Sequence, residues 1–127
     1  MKKFTRILAL TLVLIMSVAL FASCAAPNKD PEKAKEALEK NDYEVLLVDK
    51  GLDALYKGLE AYLAAADEED ENGLMVYYFE SADAANEAWD DMQDEIEEMK
   101  KEEEDLIAKK SGKMIYIGTK DAIKAAK

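Results

Sequence analysis

Few residues in this sequence are of a type and spacing that could do chemistry. Nucleophilic catalysis needs a hydroxyl or thiol with a base beside it. Past residue 24 the hydroxyl candidates are Ser81, Ser111 and Thr119, and the chain has no histidine to activate them. Ser81 and Thr119 each stand just before a helical pattern, where a hydroxyl serves as a cap. Paired carboxylates could cleave a glycosidic bond, but with 28 acidic residues some pair falls at a suitable spacing by chance. Glu68 to Gly73 resembles the start of a calcium loop, with Asp70 and Asn72 at the third and fifth positions and Gly73 at the sixth. The twelfth position is Phe79 instead of a bidentate glutamate, so the acids there are expected to form a solvated turn. These residues point to a protein that is not an enzyme, with no catalytic, cofactor-binding or metal-ligating residue and no cofactor.

One residue does carry a specific chemistry. Lys2, Lys3 and Arg6 precede the uncharged apolar run Ile7 to Leu20, and Phe21-Ala22-Ser23 leads to Cys24, the single cysteine. Basic, apolar and small, in that order, is the pattern of a secretory signal peptide. With cysteine directly after the small residues, it resembles a bacterial lipoprotein signal whose lipobox is Phe21-Ala22-Ser23-Cys24. The resemblance implies cleavage before Cys24, acylation of its thiol, and a protein held by lipid outside the cytoplasmic membrane. Two acyl chains suffice for stable anchoring. A retained transmembrane helix needs about 20 apolar residues, more than Ile7 to Ala22 offers. A plain secretory signal with a free thiol is the other alternative. The expected organisation is therefore a signal peptide over 1–23, the lipidated cysteine and a tether over 24–30, and one small domain over 31–127.

Composition narrows the partners. The leader holds three of the 17 basic residues, including the only arginine, and none of the 28 acids, which leaves 14 against 28 and a formal charge of −14. Such a field repels nucleic acid. Without arginine there is no bidentate fork for phosphate, and one cysteine allows neither an internal disulfide nor a Cys/His zinc site. Membrane lipid, reached through Cys24, and an envelope protein or glycan remain as partners.

The elements that would position these residues can be read in order. Asp30-Pro31 opens a helix with the stripe Ala34, Ala37, Leu38, ended by Asn41-Asp42. Tyr43 to Val48 reads as a strand. Leu52, Leu55, Tyr56, Leu59, Tyr62, Leu63 and Ala66 share a helical face, which predicts a helix over 52–59. Residues 60–67 stay open between helix and strand, since they lie across an acidic turn from the strand Leu74 to Glu80. Ser81 opens a helix of about six turns with the seam Ala85, Trp89, Met92, Ile96, Met99, and Glu103 interrupts that seam. Trp89 is the expected core anchor. A hairpin around Ser111-Gly112 and a short helix after Thr119 end the chain. The predicted fold is α+β, a small antiparallel sheet with a long amphipathic helix packed on one face.

Gly112 to Lys124, with Met114-Ile115-Tyr116-Ile117 at its centre, together with Val76-Tyr77-Tyr78-Phe79-Glu80 and the alanine-rich helix start, resembles a group of small uncharacterised surface lipoproteins of anaerobic Gram-positive bacteria. The resemblance implies surface location and carries no activity. In similar proteins the segment before the acidic turn often reads as a strand, which favours that option for 60–67.

Overall fold

Asp30 opens the first helix, α1 (Pro31–Lys40), as the sequence predicts. Its backbone is extended and its Oδ1 accepts the Glu32 amide at 3.0 Å, while Pro31 fills the first helical position. Asn41 caps the other end, and Asp42 takes φ 65°, a left-handed turn that Asp tolerates better than most residues. That turn feeds β1 (Tyr43–Val48). The computed structural model describes residues 26–69 and 71–127; the leader, Cys24 and Asp70 lie outside the described residues.

The helix expected over 52–59 does not form. Leu52 to Gly58 are turns, and Leu59 begins β2 (Leu59–Asp67), which settles 60–67 as strand. Leu55 and Tyr56 donate amides to the Leu52 carbonyl, a single turn that goes no further. Gly58 stops it at φ 82°, and an added Cβ there would lie 2.8 Å from the Ala84 Cβ. A helix this short has little stability of its own, whereas the strand finds backbone partners on both sides. The helical stripe was therefore no face: Leu52 is buried and Leu55 is 67% exposed.

All five strands pair antiparallel in the order β1-β2-β3-β5-β4, with β3 (Gly73–Phe79), β4 (Ile107–Ser111) and β5 (Met114–Gly118). Helix α2 (Ala82–Glu102) covers one face, while α1 and α3 (Lys120–Ala125) cover the other. Central strands thus alternate between two cores. Leu74, Val76 and Tyr78 face α1 and α3, and Met75, Tyr77 and Phe79 face α2. β2 switches phase at a bulge: Leu59 pairs with Phe79 but Ala61 with Tyr78. The extra residue sends Leu59 to the α2 core and Ala61 to the other one.

Ser81 caps α2 as expected, its Oγ accepting the Ala84 amide at 3.1 Å, and Glu103 ends the helix where the apolar seam lapses. The seam itself is displaced. Ala85, Ala88, Met92 and Ile96 are buried, while Trp89 and Met99 are only half-buried at its margin. Ala88, one residue from Trp89, takes the place against the sheet that the indole was expected to fill. The fully buried large side chains are instead Leu38, Leu63, Val76, Met92 and Ile115.

The chain before α1 is seated on the domain. Pro27 is buried, Ala26 packs on the α1 core, and the Asn28 amide donates to the Ala126 carbonyl at 2.7 Å. The Tyr78 hydroxyl donates to the Asn28 carbonyl at 2.9 Å.

Candidate binding cleft

Where α1 begins, the sheet ends, and the two diverge around a cleft of about 850 Å³. β1 contributes Leu47 and Asp49, β2 contributes Glu60 and Ala61, and β3 contributes Tyr78 and Phe79. The β4–β5 hairpin adds Ser111 to Met114, and the start of α1 adds Lys29, Pro31 and Glu32. Its floor is apolar, since Ala61, Tyr78, Phe79 and Met114 are buried core residues. Its rim carries both signs: Lys29 and Lys113 against Glu32, Asp49 and Glu60. Small-molecule sites of this size pair an apolar body with a few polar groups that fix orientation. The lining suits a ligand with an apolar body and charges of both signs, such as a short peptide or an amino acid.

The three hydroxyls weighed in the sequence part company here. Ser81 is a helix cap. Ser111, the exposed last residue of β4, lines the cleft. Thr119 sits at the N-cap position of α3, but its hydroxyl makes no capping bond. Instead it accepts the Gly73 amide at 3.3 Å and lies 3.5 Å from the Gly73 carbonyl, tying the start of β3 to the end of β5. The spacing that marked Thr119 as a cap gives no sign of this partner, 46 residues away.

The acidic turn lies at the opposite end of β2 and β3, about 25 Å from the cleft along a nine-residue strand. Asp67 organises it. Its Oδ1 accepts the Glu71 and Asn72 amides at 2.9 and 3.2 Å, and its Oδ2 accepts the Asn72 side-chain amide at 3.1 Å. The turn is thus built on a carboxylate and is not a run of interchangeable solvated acids. Among the described residues no group of three or more histidine, cysteine or acidic side chains could hold a metal ion. Asp67→Ala is expected to cost about 1.5–3 kcal/mol, the range for hydrogen bonds to a charged group. Urea denaturation measures it against Glu69→Gln, an exposed change expected to stay within about 0.5 kcal/mol of wild type. Equal effects would remove Asp67 from that role.

The tyrosines serve the two cores. Tyr77 meets Tyr56 edge-on at 6.0 Å and Tyr62 at 5.0 Å, all packed on the α2 core. Tyr43, Tyr78 and Tyr116 belong to the other core. Only Tyr78 also lines the cleft.

The cleft draws on residues from 29 to 114 across five parts of the chain, and no local pattern marks them. Cys24, the one site residue expected from the sequence, lies outside the described residues. Among those described, no helix is long and apolar enough to cross a membrane. In comparisons with protein-family models, curated proteins and solved structures, nothing matches this chain.

Proposed function

We propose that this chain is a lipid-anchored, non-catalytic binding module that works outside the cytoplasmic membrane. Its anchor is the acylated Cys24. Its cleft takes a ligand with an apolar body and charges of both signs, of the kind an envelope protein or wall peptide presents. The cleft carries this reading: it combines an apolar floor with a rim of both signs, and the chain has no histidine to pair with Ser111. The anchoring rests on the order of basic, apolar and small residues before the single cysteine and on the likeness to surface lipoproteins. Only Ala25 separates Cys24 from the seated Ala26, a reach of about 7 Å. An anchored domain would therefore rest against the membrane surface, with Lys29 and Pro31 of the cleft nearby.

The cleft volume of about 850 Å³ favours, as a second reading, a carrier that presents a small solute to a membrane partner. A thermal-shift panel of wall peptides, zwitterionic amino acids and uncharged sugars separates the two. A ligand at one hundred times its Kd stabilises by about 2.7 kcal/mol. A shift with peptides that is lost in Lys113→Glu supports the module, and a shift with one free amino acid supports the carrier. No shift with any of them removes the cleft as a site. For the anchor, Cys24→Ala is expected to release the protein into the medium or leave an unprocessed precursor. Mass spectrometry of the wild type should find acyl mass on an N-terminal Cys24. An unmodified N-terminus elsewhere would end that part of the proposal.

A further inference from the structure

Helix α2 is not centred on the sheet. It packs on β3, β5 and β4, and leaves most of β2 and β1 bare on that face. Leu46 of β1 is 59% exposed there, and Ala64 and Ala66 beside it on β2 are only half-buried. Tyr62, also half-buried, continues this floor and is held by Tyr77 at 5.0 Å. Two hollows meet at Ala64 and Ala66, one of about 340 Å³ reaching Leu106 and one of about 370 Å³ reaching Leu46. Two strands are about 10 Å across, the width of one helix with its side chains. Small alanines on the floor allow close approach, as Ala85 and Ala88 do for α2. The bare strip is thus a slot for one more helix beside α2.

The walls of the slot are acidic. Asp91, Glu95, Glu98 and Glu102, all exposed, recur at spacings of four and three along α2 and share one flank. That flank looks toward β2. Ala84, on the same side of the helix, comes up against Gly58 just before β2, and burial together with Glu95 and Asp91 pushes the Tyr56 phenol up. The opposite flank reaches β4, where the Asn86 side-chain oxygen accepts from Lys110. Across the slot Glu44 stands exposed on β1, and the acidic turn after β2 closes one end. Lys50 and Lys57 lie in the turns at the other end, while Lys100 and Lys101 fall outside the α2 stripe.

We infer that this slot receives an amphipathic helix of another protein, rich in lysine or arginine. Its apolar stripe lies on Tyr62, Ala64 and Leu46, and its cationic flank runs along Asp91 to Glu102, a span of about 17 Å or three turns. An apolar floor between acidic walls selects this chemistry, since complementary charge steers the helix in and relieves repulsion among the acids. A second copy has no such helix to offer among the described residues. Its α1, α2 and α3 each bury their apolar side on their own sheet. Lipid is disfavoured as well, because the seated Ala26 packs on the opposite face and these acids repel anionic headgroups. The slot shares no lining residue with the cleft and does not depend on it.

The probe is a fluorescent peptide of about 14 residues, four turns, with leucine and lysine in helical pattern. It is titrated into the full chain held in non-ionic detergent, where no anionic lipid competes for it. Saturable one-to-one binding at ~0.15 M salt is expected, where exposed charges act over only about 8 Å. Asp91→Asn with Glu95→Gln should weaken it about ten-fold. Asp90→Asn with Glu97→Gln removes the same charge from the outward side of α2 and should change it less than about two-fold. Leu46→Gln, an exposed change without charge, should weaken it several-fold. The inference is overturned by no saturable binding, by equal binding of a leucine–glutamate peptide, or by equal losses from the two charge pairs. Indifference to Leu46→Gln overturns it too. In cells, a photoreactive phenylalanine analogue in place of Leu46 that cross-links chiefly to lipid or to a second copy overturns it equally.

Discussion

Gly118→Ala is expected to be among the most damaging single-methyl additions to this protein, at about 2–4 kcal/mol, from overpacking plus one lost hydrogen bond. Gly118 ends β5, buried between Leu74 of β3 and Ile107 of β4. A Cβ there would lie 2.6 Å from the Gly73 carbonyl oxygen and 2.9 Å from the Leu74 Cα. These are backbone atoms of a neighbouring strand, so no flexible side chain can yield to make room. The same carbonyl accepts the Thr119 amide at 2.9 Å, and moving it breaks the tie between β3 and β5. Domains hold only about 5–15 kcal/mol in total. Two other glycines calibrate the effect. At Gly112 an added Cβ meets open space, but φ is 61°, so alanine there carries only conformational strain of about 1–2 kcal/mol. At Gly73 the nearest atom is the Ala65 carbonyl at 3.4 Å, and alanine should be nearly neutral. Chemical denaturation of the three variants should rank 118 above 112 above 73. A Gly118→Ala loss under 0.5 kcal/mol would mean that β3 and β5 part more easily than their packing implies.

What the sequence made legible is what short-range chemistry decides. Asp30-Pro31 and Ser81 announce helix starts because a side-chain oxygen and a fixed φ act within three residues. β3 and β5 are near-continuous apolar runs, as strands with both faces covered must be. The stretch from Leu52 to Asp67 is harder to read for the opposite reason: its pattern predicts a helix over 52–59, which does not form, and leaves 60–67 open between helix and strand. Its leucines and tyrosines fall at helical spacing and its alanines favour helix locally. The strand wins through pairing with β1 and β3, and through small Ala61 and Ala65 beneath the α1 core. The bulge after Leu59 then hides the two-residue alternation that would have identified it.

Trp89 misled by size. The bulkiest apolar residue on a helix is a natural choice for its buried centre. Here the centre is held by Ala85 and Ala88, whose short side chains let α2 lie close on Ile115 and Ile117, and the indole covers the margin. The cleft was illegible for a topological reason. Lys29, Glu60 and Lys113 become neighbours only through the order in which the strands are laid down, and their types are those of any charged surface.

The sharpest pH response is expected on the alkaline side, where the fold should fail between about pH 10 and 12 because all six tyrosines resist ionisation. Burial is the first cause in each case. It pushes Tyr43 and Tyr77 up to about 12 and Tyr78 higher still. Nearby acids add to it, with Asp67 and Asp121 beside Tyr43 and Asp30 beside Tyr78. A phenol that ionises less readily when folded than the ordinary value of 10 favours the fold while neutral. Its contribution is complete below pH 10 and is lost as the pH rises through its folded value. Ionising Tyr78 would also remove the donor that holds the Asn28 carbonyl, loosening the seated N-terminal segment. Phenolate absorbance and circular dichroism followed together should show little ionisation near pH 10, then a steep joint transition. Tyr78→Phe should lose about 1 kcal/mol at neutral pH with that hydrogen bond, yet move the alkaline midpoint upward, because one buried group no longer titrates. Six tyrosines ionising independently near pH 10 with the ellipticity intact would show that both aromatic clusters are open to water.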